Sequence, residues 1–288
     1  MIILDIKNIS FGYSHGTPFE ITALDDVSFS VKKGELIGII GHTGSGKSTL
    51  MQMLNALLKP EKGQILLNGK DINTDKKSIK EARSKVGLCF QYPEYQLFEE
   101  TCAKDIAFGP KNMGLSQEEI DARVLKAADF VGLDKALLDK SPFDLSGGQK
   151  RRCAIAGVMA MLPEVLILDE PTAGLDPKGR TEILSMIENY RKSTGATVMI
   201  VSHSMDDIAR IADRILVMNK GRLAFYGTPK EVFSKSSELL EMGLDIPVCS
   251  SIMTALSKSG MDFPSDVFSI SDAAEKLYKF YEERRVRG

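Results

Sequence analysis

Gly41-His42-Thr43-Gly44-Ser45-Gly46-Lys47-Ser48-Thr49 decides how this chain is read. A glycine, four residues and then Gly-Lys-Ser is the spacing of a phosphate-cradling loop, or P-loop. Leu36-Ile37-Gly38-Ile39-Ile40 precedes it, an apolar run short enough for a buried strand. Leu50, Met51, Leu54, Leu57 and Leu58 follow at helical spacing, and Lys59-Pro60 is expected to stop that helix. Strand, loop and helix stand in the order that phosphate binding requires. Gly41, Gly44 and Gly46 let backbone N–H groups curl around phosphate oxygens, and the helix presents its positive end to the same anion. Lys47 supplies a mobile positive charge. The hydroxyl of Ser48 suits the magnesium ion that accompanies a nucleoside triphosphate, because magnesium prefers hard oxygen ligands.

The rest of the composition narrows the setting. A length of 288 residues with 43% apolar content accommodates one large packed domain and a smaller one. A formal net charge of −2 gives no argument for a nucleic-acid partner or a polybasic membrane anchor. No apolar run approaches the roughly 20 residues that cross a bilayer. The first segment, carrying Asp5 and Lys7, has no signal-peptide core, so a cytoplasmic location is expected. Cys89, Cys102, Cys153 and Cys249 show neither metal-ligand spacing nor a disulfide framework, and read as buried, reduced thiols.

Outward from the loop, residues 1–11 and 23–31 alternate apolar and polar, which predicts an antiparallel β layer. Phe11-Gly12-Tyr13-Ser14-His15-Gly16 between them reads as a loop. Tyr13 on it either offers a nucleotide base a flat stacking face or closes the β layer as a hydrophobic side chain; His15 reads as solvent-exposed. Residues 64–67 before Asn68-Gly69 predict a strand and tight turn. The apolar run from Val86 to Phe90 ends at Gln91, whose amide oxygen is a candidate magnesium ligand. Residues 92 to about 161 turn helical, with a capping box expected at Ser116 and Glu119.

This helical insertion closes in Leu145-Ser146-Gly147-Gly148-Gln149, where Ser146 caps a helix and two glycines bare N–H groups at its N-terminus. A second anion site in a chain that needs one nucleotide points to a nucleotide held by another copy or a paralogue. Val165-Leu166-Ile167-Leu168-Asp169-Glu170 is a strand ending in two acids, which alternation places on opposite faces. Asp169 is the magnesium candidate, and Glu170 the catalytic residue that polarises an attacking water. Asp176 is expected to cap a helix. His203, on the loop after the strand from Thr197 to Val201, is placed to bond a phosphate and orient that water. Residues 214–225 predict a hairpin, and 231–288 a helical appendage with Ala274, Leu277, Tyr278 and Tyr281 along one side of its last helix.

The P-loop, Gln91, Leu145 to Gln149, Asp169-Glu170, Asp176 and His203 occur in an order that resembles the ATP-binding cassette ATPases over residues 1 to about 230. The resemblance implies an α/β P-loop fold with a mostly parallel central sheet, an antiparallel β layer, an inserted helical subdomain and a small C-terminal helical region that takes part in dimerisation. It implies that Tyr13 stacks adenine, that Gln91 links magnesium to the membrane partner, that Glu170 is the base and His203 the switch histidine, and that two cassettes sandwich ATP and Mg2+, each P-loop facing the other subunit's Leu145 to Gln149 segment; Asp176 counts among the nucleotide-binding residues. Residues 90–98, 105–110 and 244–247 look like the energy-coupling factor transporters, most of all the second of their two ATPases. That likeness implies import of vitamins or metal ions, a paralogous ATPase partner, a transmembrane coupling protein, indirect contact with a substrate-binding membrane subunit, and a peripheral place on the cytoplasmic face of the cell membrane. A cobalt or nickel importer with two identical ATPases is the alternative. A DNA-repair cassette fits poorly, since no heptad run separates Lys47 from Asp169.

Overall fold

The computed structural model describes residues 1–14, 16–261, 263–264, 267–268 and 270–287, the side chains of residues 283–287 excepted; the expectation for His15 lies outside them. In chain order the strands are β1 (Ile2–Tyr13), β2 (Ile21–Lys32), β3 (Leu36–Ile40), β4 (Lys62–Leu67), β5 (Lys70–Asp71), β6 (Val86–Cys89), β7 (Val165–Asp169), β8 (Thr197–Val201), β9 (Arg214–Asn219) and β10 (Arg222–Gly227). The helices are α1 (Lys47–Leu54), α2 (Lys76–Lys85), α3 (Cys102–Asn112), α4 (Gln117–Val131), α5 (Gly147–Met159) and α6 (Pro177–Thr194). After them come α7 (Met205–Ile211), α8 (Pro229–Phe233), α9 (Ser236–Glu241), α10 (Val248–Lys258) and α11 (Ile270–Arg287).

The strands form a four-stranded antiparallel sheet, β2-β1-β4-β5, and a six-stranded sheet, β10-β9-β3-β8-β7-β6. In the latter only β10 runs antiparallel to its neighbour. Every residue of β3 and β8 is buried, as expected of parallel strands covered on both faces. Alternation divides them between two cores. Ile37 and Ile39 pack with α1 and the antiparallel sheet, while Leu36 and Ile40 face the helical side with Ile106, Ile155 and Ile187. Each such side chain contributes about 1.5–3 kcal/mol of burial. Because β6, β7, β8 and β3 are parallel neighbours, their carboxyl ends lie along one edge, where open α/β sheets bind ligands.

Several expectations shift. Phe11 to Tyr13 is the end of β1, paired with Leu24 to Ile21, and not a loop. Helix α1 stops at Leu54, short of the expected Leu58: Asn55 donates its side-chain amide to Val86 O, Ala56 takes a left-handed φ of 55°, and the N–H groups of Leu57 and Leu58 both turn back to Gln52 O. Ser116 caps α4, but the box is half formed, because the Glu119 carboxylate accepts from Arg123 at 2.8 Å. Helices α2 and α9 were not foreseen. Val232, Phe233 and Leu239 of α8 and α9 join the large core, whereas Cys249, Met253, Phe263 and Val267 make a separate small one. In α11 it is Ala273 and Phe280 that pack on this small core; Ala274, Leu277, Tyr278 and Tyr281 share an exposed side. Among the described residues no helix is long and apolar enough to cross a membrane.

Candidate active site

The loop from Gly41 to Lys47 leaves the carboxyl end of β3 and enters α1 through Gly46, whose φ of 98° and the 2.5 Å approach of Ala23 O to any added Cβ leave room for glycine alone. No side chain caps α1, and Lys47, Ser48 and Thr49 of its first turn line the cleft beside the loop. Lys47, 8% exposed, reaches across the loop to donate to Gly41 O at 2.6 Å and His42 O at 2.9 Å. Burial lowers its pKa, against the opposing charges of Glu170 and Asp169. His42 is tied back by Nδ1 to Thr43 O at 2.7 Å and by Nε2 to Asn219 Oδ1 at 3.2 Å.

A cleft of about 450 Å³ gathers Tyr13, Thr43, Gly44, Gly46, Lys47, Ser48, Thr49, Gln91, Asp169, Glu170 and His203. Each of the separated motifs reaches it from the end of a strand: Gln91 after β6, Asp169 at the end of β7, His203 after β8. Ser48, Gln91 and Asp169 bring a hydroxyl, an amide oxygen and a carboxylate to the cleft, a hard-oxygen set whose chemistry fits magnesium held jointly with phosphate. Tyr13 is 41% exposed, meets Phe11 edge-on at 5.0 Å and places its hydroxyl 3.2 Å from Thr49 Oγ1. It ends β1 and borders the cleft, a position compatible with either of its two readings.

Glu170 differs from expectation in how it is aimed. It lies one residue past β7 with φ 49°, so a left-handed backbone turn, rather than strand alternation, separates it from Asp169. Its N–H still donates to Val201 O at 3.0 Å. Among the described residues its buried Oε1 accepts no hydrogen bond, and it sits 3.4 Å from His203 Nε2. Burial pushes the Glu170 carboxyl up to about 7, with a backbone hydrogen bond from His203 pulling down and the Asp169 charge pushing up. Asp169 is raised by burial against Lys47 and His203, and His203 is lowered by burial and by Lys47. The site therefore holds a carboxyl raised toward neutrality beside an imidazole whose pKa is lowered, in one cleft with the Lys47 cation.

The remaining candidates lie apart from this cleft. Leu145 is buried beneath the start of α5, and Ser146, Gly147 and Gly148 are exposed there. Ser146 and Gln149 form a full capping box, at 3.4 Å and 3.0 Å. Asp176 caps α6 by accepting from Gly179 N at 2.7 Å. Two contributors had no motif to announce them. Ile21, Thr22 and Ala23 of β2 wall the cleft, and Arg180, one turn into α6, lines a second hollow with Glu170, Gly174 and His203. The helical spacing from Asp176 was the available signal for Arg180.

Similarity to known proteins agrees with this geometry. The ABC transporter family profile matches residues 24–173. Energy-coupling factor transporter ATP-binding protein EcfA2 of Caldanaerobacter subterraneus subsp. tengcongensis is 55% identical over 277 residues, covering 96% of this chain and 97% of that protein. The protein of the same name from Clostridium tetani is 52% identical, covering 98% of each. Among solved structures, cbiO1 from Clostridium perfringens, described as part of the ABC transporter complex cbiONQ, is similar with TM-score 0.74 and 42% identity over 83% of this chain and 94% of that one. A dimeric ATP-binding cassette in a post-hydrolysis state bound to ADP and Pi gives TM-score 0.71 and 28% identity over 79% and 99%.

Proposed function

The chain belongs to the ABC transporter family and, within it, to the energy-coupling factor transporter ATP-binding proteins, an ATPase coupled to transport; from that premise we propose how its own residues serve the reaction and its partners. Tyr13 stacks the adenine, and the nine residues Gly41 to Thr49 hold the phosphates, with Lys47 leaving its carbonyl partners for phosphate oxygens. Ser48, Gln91 and Asp169 would hold Mg2+, which supplies charge neutralisation at the transferred phosphoryl group. Glu170 orients the attacking water and takes its proton, while His203 donates to the γ-phosphate and steers the same water. Leu145 to Gln149 and Asp176 serve the nucleotide of an opposing subunit, the paralogous ATPase or a second copy.

On this reading the chain lies peripherally at the cytoplasmic face of the cell membrane and energises import of a vitamin or metal ion. Residues 1–230 act as the cassette, and 231–288 contribute to pairing through the exposed side of α11, where Tyr278 is 66% and Tyr281 63% exposed. The transmembrane coupling protein docks at residues 92–98, which display Tyr92, Tyr95 and Phe98 to solvent next to a groove of about 610 Å³ between α2 and α3. The substrate-binding membrane subunit is engaged through that protein.

The observation that carries the proposal is Glu170: a buried carboxylate oxygen, Oε1, that accepts no hydrogen bond among the described residues, in the same cleft as Lys47 and Asp169. Glu170→Gln is expected to retain ATP binding and to lower turnover of the assembled transporter by about 10² to 10⁴, the range that general-base assistance supplies. Turnover within a factor of two of the parent would remove Glu170 from this role.

A further inference from the structure

One side chain outside the cleft ties together three segments that the ATP site depends on. Arg151 lies at the start of the second turn of α5, two residues past Gln149, and is 5% exposed. Its Nε donates to Glu94 Oε2 at 3.1 Å and its Nη2 to Glu94 Oε1 at 2.7 Å, a bidentate pair. Its Nη1 donates to Ala173 O at 2.6 Å and more weakly to Pro171 O at 3.5 Å. Glu94 belongs to the short 3-10 helix over Pro93–Gln96 that follows Gln91; Pro171 and Ala173 belong to the turn that follows Glu170. One planar guanidinium thus fastens the stretch after Gln91, the helix that begins at Ser146, and the turn after Glu170.

The surrounding geometry shows which side of Gln91 is fastened. Past the short helix, Phe98 N and Glu99 N donate to Asp105 Oδ2 of α3 at 3.2 Å and 2.9 Å. Tyr92, between Gln91 and Pro93, has the left-handed φ of 53°. The segment 93–99 is therefore pinned at both ends to helices α5 and α3, and Tyr92 is the joint where it meets the β6 end that carries Gln91. A buried ion pair is weak evidence for stability, since well-packed apolar residues of the same size commonly do as well. Its fixed, forked geometry is what an apolar pair cannot reproduce. Lysine cannot reproduce it either, because a single ammonium lacks the fork needed to hold the carboxylate bidentately and the carbonyls behind it together.

We propose that Arg151 is a positioning residue that makes the segment 93–99, the Ser146 end of α5 and the turn after Glu170 move as one body. Displacement of the segment is thereby delivered to the backbone that aims Glu170, without Arg151 touching nucleotide. The inference rests on the role given to Glu170 above. Arg151→Lys tests it, because it keeps a positive charge against Glu94 and loses the bonds to the turn. In the assembled transporter, kcat for ATP hydrolysis is expected to fall roughly 10- to 100-fold, the scale of a misplacement of about 1 Å, with KM for ATP within twofold and the melting temperature of the chain close to the parent. Glu94→Gln, which keeps at most one of the two hydrogen bonds from Arg151 and leaves the Arg151 bonds to the turn in place, is expected to lower kcat less than Arg151→Lys. An unchanged kcat in Arg151→Lys would overturn the proposal. So would a fall in melting temperature with kcat at 25 °C intact, the mark of a merely structural pair. Glu170→Gln assayed in the same preparation separates the two readings: if it stops turnover while Arg151→Lys does not, only the present inference fails; if it too turns over normally, the assignment of Glu170 fails first.

Discussion

The helix that begins at Lys47 and the helix that begins at Gly147 both start from glycine-rich sequence, yet their first turns are finished differently. Gly46 enters α1 in a left-handed conformation with no side-chain cap, and the neighbouring Lys47 is buried among acids that share its cleft. Ser146 enters α5 in extended backbone, and it and Gln149 satisfy each other's N–H groups. The first arrangement sets the first turn of α1 against a walled cavity of the same chain. The second is complete as local structure and lies on the surface, where among the described residues nothing stands within 4 Å of a Cβ added at Gly147 or Gly148. A helix end attracts an anion in both cases, but only the first encloses one. The difference is what the sandwich proposed above would use: on that proposal, a surface from another molecule makes the α5 end half of a site.

Gly148→Asp breaks the comparison most sharply. An added Cβ at Gly148 meets nothing within 4 Å, and an acid in the first turn of a helix is locally favourable, so the fold should be untouched. Facing a γ-phosphate, the same carboxylate repels it. ATP affinity of the isolated chain is expected to stay within twofold, while hydrolysis by the assembled pair falls about 10²-fold or more, comparable to losing a donor from an oxyanion site. Loss of ATP binding by the isolated chain, measured by calorimetry, would mean that α5 acts on its own chain's nucleotide.

Lys47→Ala is the converse experiment, aimed at the enclosed end. Charge-assisted hydrogen bonds contribute about 1.5–3 kcal/mol each, so affinity for ATP should weaken by roughly 10- to 100-fold in the isolated chain. The opposition between the two variants is the point: one should damage binding without a partner, the other turnover with one. Equal effects of both in both assays would erase the distinction drawn here.

What the sequence disclosed follows the same division between local and distant. The P-loop, the Ser146 cap and the Asp169-Glu170 strand end were legible because each is chemistry over a few consecutive residues, flanked by apolar runs that name the element. Parallel pairing then accounts for the convergence of the P-loop, Gln91, Asp169-Glu170 and His203, since β6, β7, β8 and β3 deliver their carboxyl ends to one edge. The pair Glu94 and Arg151 was invisible, being two ordinary charges on separate elements until the fold brings them within 2.7 Å. The early end of α1 was invisible for a similar reason: Asn55 gives its amide to Val86 O, on a strand far along the chain, and that tertiary bond overrides the helical spacing of Leu57 and Leu58. Helix α2 hid because Lys-Lys-Ser-Ile-Lys-Glu-Ala-Arg-Ser-Lys buries only Ala82, too little to leave an apolar stripe. The aim of Glu170 depends on a backbone angle that residue identity does not reveal.

The smallest effect sharpens the comparison by pH. The α5 end, from Ser146 to Gln149, contains no group that titrates near neutrality, whereas the enclosed end contains Glu170, held by burial at about 7. Only the ionised carboxylate can take a proton, so about one tenth of it is competent near pH 6 and about nine tenths near pH 8. kcat/KM for ATP should therefore rise with pH on a single limb centred near 7, and Glu170→Gln should flatten that limb on its residual activity. Stability runs the other way. A carboxyl raised above its unfolded value of 4.5 favours the fold fully below that pH, and the contribution is lost as pH climbs through about 7. Burial and then Lys47 lower the His203 pKa, which moves its titration away from the Glu170 limb. A profile level from about pH 6 to 8, with melting temperature also level, would place the base outside this cleft; a limb that survives Glu170→Gln would assign it to another residue within it.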